Sequence, residues 1–212
     1  QIQYNYMDIE NQAGTKVLKY AASKGMAVVV MEPLLGGKLV NPPEAVQALW
    51  DTAATKRSAA DWALQWLWNQ PEVSVVLSGM SAMEQVEQNL VSASASAAGL
   101  LDADELALID RVRQTYSELC PIPCTGCQYC MPCPNDVNIP GNFAIYNEAV
   151  MYNNAAQMRD RYKGVKEENR ASACIQCREC EDKCPQHIFI SEWMPLVHEA
   201  LGEGKPFVCA LP

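Results

Sequence analysis

Eight of the ten cysteines in the chain fall in two runs, Cys124-Thr-Gly-Cys127-Gln-Tyr-Cys130-Met-Pro-Cys133-Pro134 and Cys174-Ile-Gln-Cys177-Arg-Glu-Cys180-Glu-Asp-Lys-Cys184-Pro185. Each sets three cysteines two residues apart and closes on Cys-Pro. That spacing suits iron–sulfur chemistry, because a cubane cluster wants one thiolate per iron. Two intervening residues let the chain wrap three corners while backbone N–H groups point at the sulfurs. The fourth cysteine, followed by a proline that cannot continue a helix, then ligates the other cluster. The runs therefore predict two 4Fe–4S clusters. Cys124, Cys127, Cys130 and Cys184 would hold one, and Cys174, Cys177, Cys180 and Cys133 the other.

The first run is one residue shorter before its last cysteine. Spacing alone does not fix Cys133, and a three-iron cluster is the alternative there. Tetrahedral zinc competes, since paired Cys-x2-Cys knuckles also build zinc ribbons. Zinc sites rarely string three such steps before a Cys-Pro. A disulfide framework fits less well, because cysteines this close suit a shared metal better than paired bridges. Clusters of free thiols imply a reducing, cytoplasmic setting. Cys120 and Cys209 lie outside both runs and are expected to be small buried thiols. His187, just past the last cluster cysteine, reads as a packing or surface histidine.

The elements that must position these residues follow from periodicity. Gln1 to Tyr6 alternates like a short strand, and Lys16 to Lys24 carries Val17, Leu18, Ala21 and Ala22 on one helical face before Gly25. Met26 to Met31 is a continuous apolar run, as in a strand buried on both faces. Pro42 and Pro43 open a helix, and Ser58 with Asp61 caps another. Val73 to Leu77 predicts a third strand, and Ser81 with Glu84 predicts a capped helix with Met83, Val86 and Leu90 on one face. Alternating strands and helices mean βα units and a parallel sheet. The low-complexity stretch from Ser92 to Gly99 reads as a linker. Asp102 and Glu105 cap a helix bearing Leu106, Ile109, Val112 and Tyr116. Between the runs, Asn142 to Lys163 predicts two helices broken at Asn153-Asn154, so the cysteine region is expected to be α-helical. The tail after Ser191 shows no readable chemistry.

Composition sets outer bounds. With 212 residues and 49% hydrophobic content, one or two domains with real cores are expected. A net charge of -9 argues against nucleic acid and fits simple solubility. No apolar run approaches the ~20 residues of a membrane span, and no signal peptide is visible.

Two loops that follow strands could hold an anion. Ser78-Gly79-Met80-Ser81 leads into a helix, whose N–H groups and dipole favour phosphate. Glu32 to Lys38 supplies paired glycines and a lysine. Taken alone, a plain turn and a solvated lysine explain both equally well. There is no G-x-G-x-x-G fingerprint.

At these residues the sequence resembles the aldo/keto reductase family, in the branch with a C-terminal ferredoxin-type extension. Gln1-Ile-Gln-Tyr-Asn5 is similar to the family's sixth barrel strand, and Val28-Val-Val-Met-Glu-Pro-Leu-Leu-Gly-Gly-Lys38 to the seventh strand and its loop. Ser78 to Asn89 is similar to the eighth strand's loop and helix, and Cys124 to Pro134 to the extension. The implied fold is α/β: the last three βα units of a (β/α)8 TIM barrel, followed by an α-helical ferredoxin-like domain. Its expected boundaries are 1–118 for the barrel part, 119–190 for the two-cluster domain and 191–212 for a tail. Barrels of this kind often bind phosphate after strands seven and eight.

The resemblance implies NADP(H) or NAD(H) as cofactor, with Gln1 touching the nicotinamide carboxamide. Pro33, Leu34 and Lys38 would line the pyrophosphate path, and Gly79, Ser81, Gln85 and Asn89 the adenosine phosphate end. Gln88 stands where the family often has Glu. Solvent exposure is the alternative for Gln85 and Asn89. The family's catalytic Asp, Tyr, Lys and His come from earlier strands, so no catalytic residue is expected in this chain. Tyr4 and Tyr6 read as core or cofactor-stacking groups, and neither His187 nor His198 replaces the family's His. Three strands cannot close a barrel, which implies the C-terminal part of a longer reductase, or a barrel half supplied in trans. Three functions follow. One is a nicotinamide-linked oxidoreductase with a small carbonyl substrate or a redox partner protein. Another is an electron-transfer module, and the third is a structural iron–sulfur domain.

Overall fold

The computed structural model describes residues 1–10 and 13–211, which divide into two compact units, Gln1–Thr115 and Tyr116–Pro212. In the first unit, β1 (Ile2–Gln3) is followed by α1 (Gly14–Ser23), β2 (Val29–Met31), α2 (Glu44–Trp50), α3 (Ala59–Trp68), β3 (Val75–Val76), α4 (Met83–Ser94) and α5 (Ala103–Glu118). The sheet has the order β1-β2-β3 and is parallel throughout, with Ile2 opposite Val30 and Val30 opposite Val76. Helical crossovers between strands produce this arrangement. The unit is thus mixed α/β with a small parallel sheet, as expected for part of an aldo/keto reductase barrel. The strands are shorter than the sequence predicts, because only two or three residues of each predicted run pair.

Local chemistry sets the ends of these elements. Gly25, at φ 71°, closes α1, its N–H donating to Ala22 O at 2.9 Å. Ser58 Oγ accepts from the Asp61 N–H at 3.1 Å, and Asp102 and Glu105 exchange bonds at 2.8 and 3.2 Å in a capping box. At α4 the expected Ser81 cap is replaced. Gln85 Oε1 reaches back to accept from the N–H groups of Ser81, at 2.8 Å, and Ala82, at 3.3 Å, so the cap comes from inside the helix. Nor is Ser92–Gly99 a free linker. Its first residues finish α4, and the Gly99 N–H donates to Asn69 O at 2.9 Å.

Around the sheet, Tyr4, Leu18, Val28, Val30 and Leu67 form a buried cluster. Beside it Trp50 and Trp62 stack at 5.1 Å, Tyr6 meets Trp50 edge-on, and the Arg57 guanidinium lies 4.4 Å from the Trp62 ring while pairing with Glu105. Helix α4 is the exception. Met83 and Leu90 share a face as expected, yet they are 71% and 62% exposed, and α4 buries none of its residues.

The second unit contains α6 (Ile139–Met151), α7 (Ala155–Lys163), two 3-10 turns (Glu167–Asn169 and Ala171–Ala173) and α8 (Ile190–Leu201). The chain breaks between α6 and α7 at Asn153, where φ is 49°. Phe143, Tyr146, Met158, Tyr162, Met194 and Val197 form the core, and six cysteines of the two runs pack on or in it. The last residues fold back over this core. The Tyr146 hydroxyl donates to Val208 O at 3.0 Å and accepts from its N–H at 2.8 Å. The Arg159 guanidinium binds the carbonyls of Ala200, Gly204 and Lys205.

Burial decides which substitutions matter in the first unit. Trp62→Ala removes a fully buried ring and should cost about 3–5 kcal/mol in urea unfolding. Leu90→Ala, on the exposed face of α4, should stay within about 0.5 kcal/mol. Equal losses for the two would contradict the packing described.

Candidate functional sites

The two cysteine runs are built as repeats of one backbone design. Two residues after the first cysteine of each, the chain turns left-handed, at Gly126 (φ 69°) and Gln176 (φ 58°). This turn brings the N–H of Gly126 onto the Cys124 sulfur and that of Gln176 onto the Cys174 sulfur, the latter at 3.4 Å. One residue past the second cysteine, Gln128 and Arg178 repeat the left-handed turn at 66° and 67°. Three residues past each closing cysteine, Asp136 and His187 do so again, each donating its N–H to the cysteine carbonyl at 3.0 Å. Then come buried Val137 and Ile188, and after them Ile139 and Ile190, which start α6 and α8.

This geometry gathers the cysteines across the runs. A hollow is lined by Cys124, Cys127, Cys130 and Cys184, with Ile139, Phe143, Ile188 and Ile190 as an apolar wall. A second is lined by Cys133, Cys174, Cys177 and Cys180, with Cys130 and Ile139 at the wall between the two. Each hollow thus takes three cysteines from one run and a fourth from the other. Despite the shortened first run, Cys133 lies beside Cys174. Among the described residues, no three His, Cys, Asp or Glu side chains converge tightly enough for a single ion. Cys120 is half-buried, its thiol donating to Ile122 O at 3.3 Å. Cys209 is exposed, against the expectation of burial, because the strap that carries it runs over the surface of the core. His187 is exposed, and His198 Nδ1 pairs with the Tyr162 hydroxyl at 3.0 Å.

Burial pushes up the thiol pKa values of Cys124, Cys130 and Cys174, and that of Cys180 to about 12, with the neighbouring cysteines of the same hollow adding to the effect. A thiol raised this way is almost wholly protonated at neutral pH, and its thiolate fraction climbs about tenfold per pH unit until the pKa is passed.

In the first unit, a broad hollow of about 620 Å³ opens beyond the C-terminal ends of β2 and β3. Pro33, Leu34, Gly79, Gln85 and Asn89, five of the residues expected there, line it, as does Gln88. Gln1 reaches it indirectly, its amide donating to the sulfur of Met31, a lining residue. Ser81 stands behind, its N–H and hydroxyl on Gln85 Oε1, and Lys38 closes the loop, its N–H donating to Leu35 O at 3.3 Å. The loop curls back through consecutive left-handed residues, Leu35, Gly36 and Gly37, and is tied down where Asn5 Nδ2 donates to Glu32 O at 3.0 Å. Asn89 Nδ2 donates to Ser78 Oγ at 3.1 Å, fixing α4 to the other loop. The sequence marks the two loops as candidate anion sites but assigns no individual role to Met31, Glu32, Ser78 and Met80; Met31 ends β2 and Glu32 follows it, while Ser78 and Met80 lie in the loop after β3. Glu32 is the charged residue of the lining, so an anion there would rely on N–H and amide donors rather than on a cation. Tyr4 and Tyr6 are core residues, the Tyr4 hydroxyl on Thr15 Oγ1 at 2.8 Å.

Residues 1–114 match the aldo/keto reductase family and residues 123–189 a 4Fe–4S dicluster domain. The first match takes in more than half of the 212 residues, and the chain belongs to the aldo/keto reductase family. The dicluster match, with ten cysteines in the chain, indicates iron–sulfur clusters. Over 89 residues, 42% of this chain, it is 29% identical to an uncharacterized oxidoreductase of Schizosaccharomyces pombe, and the aligned part spans 28% of that protein. No solved structure matches the chain. No helix among the described residues is long and apolar enough to cross a membrane.

Metal-free protein provides a direct check on the cysteine environments. Iodoacetamide at neutral pH should label exposed Cys127 and Cys177 well before Cys130 and Cys180, read by peptide mass spectrometry. Labelling of Cys180 should still be rising above about pH 9, since its pKa is raised. Uniform labelling of all four would refute the burial described.

Proposed function

We propose that the chain is the cofactor-binding part of an iron–sulfur oxidoreductase of the aldo/keto reductase type. The observation that carries the reading is the crossed gathering of eight cysteines into two hollows of four. Cys124, Cys127, Cys130 and Cys184 hold one 4Fe–4S cluster, and Cys133, Cys174, Cys177 and Cys180 the other. The donor set fits, with thiols only and N–H groups aimed at two of the sulfurs. In the first unit, the hollow beyond β2 and β3 takes a nicotinamide dinucleotide, which the family membership supports.

Bound clusters supply one-electron transfer, and a bound nicotinamide supplies hydride chemistry. The chain's own residues bind and orient. Gly126 and Gln176 donate N–H bonds to cysteine sulfurs, while Ile139, Phe143, Ile188 and Ile190 keep water from one hollow. Pro33, Leu34 and the curled loop shape one side of the nucleotide hollow, and Gly79, Gln85 and Asn89 the other. Gln1 stays near the nicotinamide end through Met31, and Ser81 and Lys38 support the two loops from behind. The substrate class is a small carbonyl compound, with a redox partner protein exchanging single electrons.

Anaerobically purified protein should contain about eight iron atoms per chain with matching sulfide. Cys184→Ser should strip the cluster on Cys124, Cys127 and Cys130 and spare its neighbour, halving the iron. Zinc in place of iron, or loss of the other cluster, would overturn the ligand assignment. NADPH titration followed by nicotinamide fluorescence tests the first unit separately, and no binding at millimolar cofactor would remove the nucleotide claim.

A further inference from the structure

The two cysteine runs repeat each other closely enough for their differences to be read position by position. Cys130 and Cys180 are equivalent, as are Ile139 and Ile190, the first residues of α6 and α8. The residue after Cys130 is Met131, and the residue after Cys180 is Glu181. One place into the helices, Pro140 in α6 stands opposite Ser191 in α8. In the second half these two positions bond. Glu181 Oε1 accepts from the Ser191 N–H at 2.7 Å and from its hydroxyl at 2.6 Å. Ser191 is buried, and its carbonyl in turn accepts from Gln176 Nε2 at 3.0 Å. The first half can make no such bond, because Pro140 has no N–H and Met131 no carboxylate.

We infer that Glu181 is a fixed negative charge, held at the N-terminus of α8, that lowers the reduction potential of the cluster on Cys133, Cys174, Cys177 and Cys180 alone. The inference rests on the ligand sets proposed above. Reduction adds one negative charge to a cluster, and a nearby carboxylate opposes it. Proximity follows from sequence adjacency to Cys180 and from the bonds to Ser191, which lines the same hollow. The helix dipole and the two Ser191 donors keep the charge in place.

Other contributions are either equal in the two halves or weaker. Backbone N–H bonds to sulfur occur in both halves, from Gly126 and from Gln176, so they do not distinguish them. Arg178, Glu179 and Lys183 line the second hollow, and Glu181 reaches it through Ser191, but those three are exposed to water. They carry mixed signs, and the Arg178 guanidinium lies 3.9 Å from Glu192. No charged side chain lines the first hollow among the described residues.

The test is a dithionite titration of the holoprotein, with each cluster's midpoint followed by electron paramagnetic resonance. Glu181→Gln keeps an acceptor oxygen for Ser191 and removes the charge. One midpoint should rise, by about tenfold in the reduction equilibrium, or about 59 mV for one electron, and the other should not move. Ser191→Ala keeps the charge but removes one of its donors, and should shift the same midpoint the opposite way. Glu179→Gln, which neutralises an exposed carboxylate beside the same ligand, should shift it by less than half as much. If both midpoints move together, if neither moves, or if Glu179→Gln matches Glu181→Gln, the inference fails. Should Glu181→Gln lose iron, the sign of the Ser191→Ala shift decides. Absence of two cluster signals in the unsubstituted protein would instead defeat the ligand assignment beneath it.

Discussion

Each of the two cysteine hollows draws thiols from both runs, and the second unit is arranged around that gathering. Two loops far apart in the chain must be held at a fixed mutual distance, or neither cage closes. Buried asparagines provide much of the register. Asn142, 1% exposed, donates to the carbonyls of Asn138 and Asn169 at 2.7 and 2.8 Å and accepts from the Ala171 N–H at 3.1 Å. It thereby joins the end of the first run to the 3-10 turns that lead into the second. Asn147 plays the same part at the entry, satisfying both the N–H and the carbonyl of Ile122 just ahead of Cys124. Buried amides are costly unless fully paired, and here most of their bonds go to the backbone that aims the cysteines.

The apolar core does a second job in the same space. Ile139, Phe143, Ile188 and Ile190 are at once core residues and the wall of one cage. Burial there raises the thiol pKa values, which favours the protonated, metal-free form, while ligation requires thiolates. The positive charge of the metal offsets that opposition when it binds. The strap from Gly202 onward, clamped by Arg159 and Tyr146 with Phe207 packed 5.0 Å from the Tyr146 ring, thickens the cover over this core.

Much of this was legible in the sequence, for a physical reason. Metal ligation fixes residue type and spacing together, so the runs carry their own geometry, and the two Cys-Pro endings point to the placing of Cys133 beside Cys174 and of Cys184 beside Cys124. Strand and helix order was legible too, since Val30 and Leu67 sit in continuous or periodic apolar runs. Burial on α4 was not. Its pattern of Met83, Val86 and Leu90 specifies a face but not what covers it, and exposure depends on neighbours that periodicity cannot name. Its cap was misread because Ser81 and Gln85 both suit the position, and the longer side chain reaches both N–H groups at once. Nor did the tail announce its role, since a strap held by backbone carbonyls leaves no side-chain signature.

The repeat within the second unit escaped a reading by cysteines for a related reason. Equivalence between the halves lies in left-handed backbone at Asp136 and His187 and in the paired Val137 and Ile188, none of which shares a residue type conspicuous by itself. The extra residue before Cys184 also throws the two runs out of step when they are aligned from their first cysteines. Once the backbone is superposed by its turns, the common design accounts for ligation and the unmatched positions become informative. A substitution pair such as Glu181 with Ser191 against Met131 with Pro140 changes no ligand and no helix start. It changes only which charge stands next to the sulfur, and that is a property two otherwise equivalent cages can differ in without any change of fold.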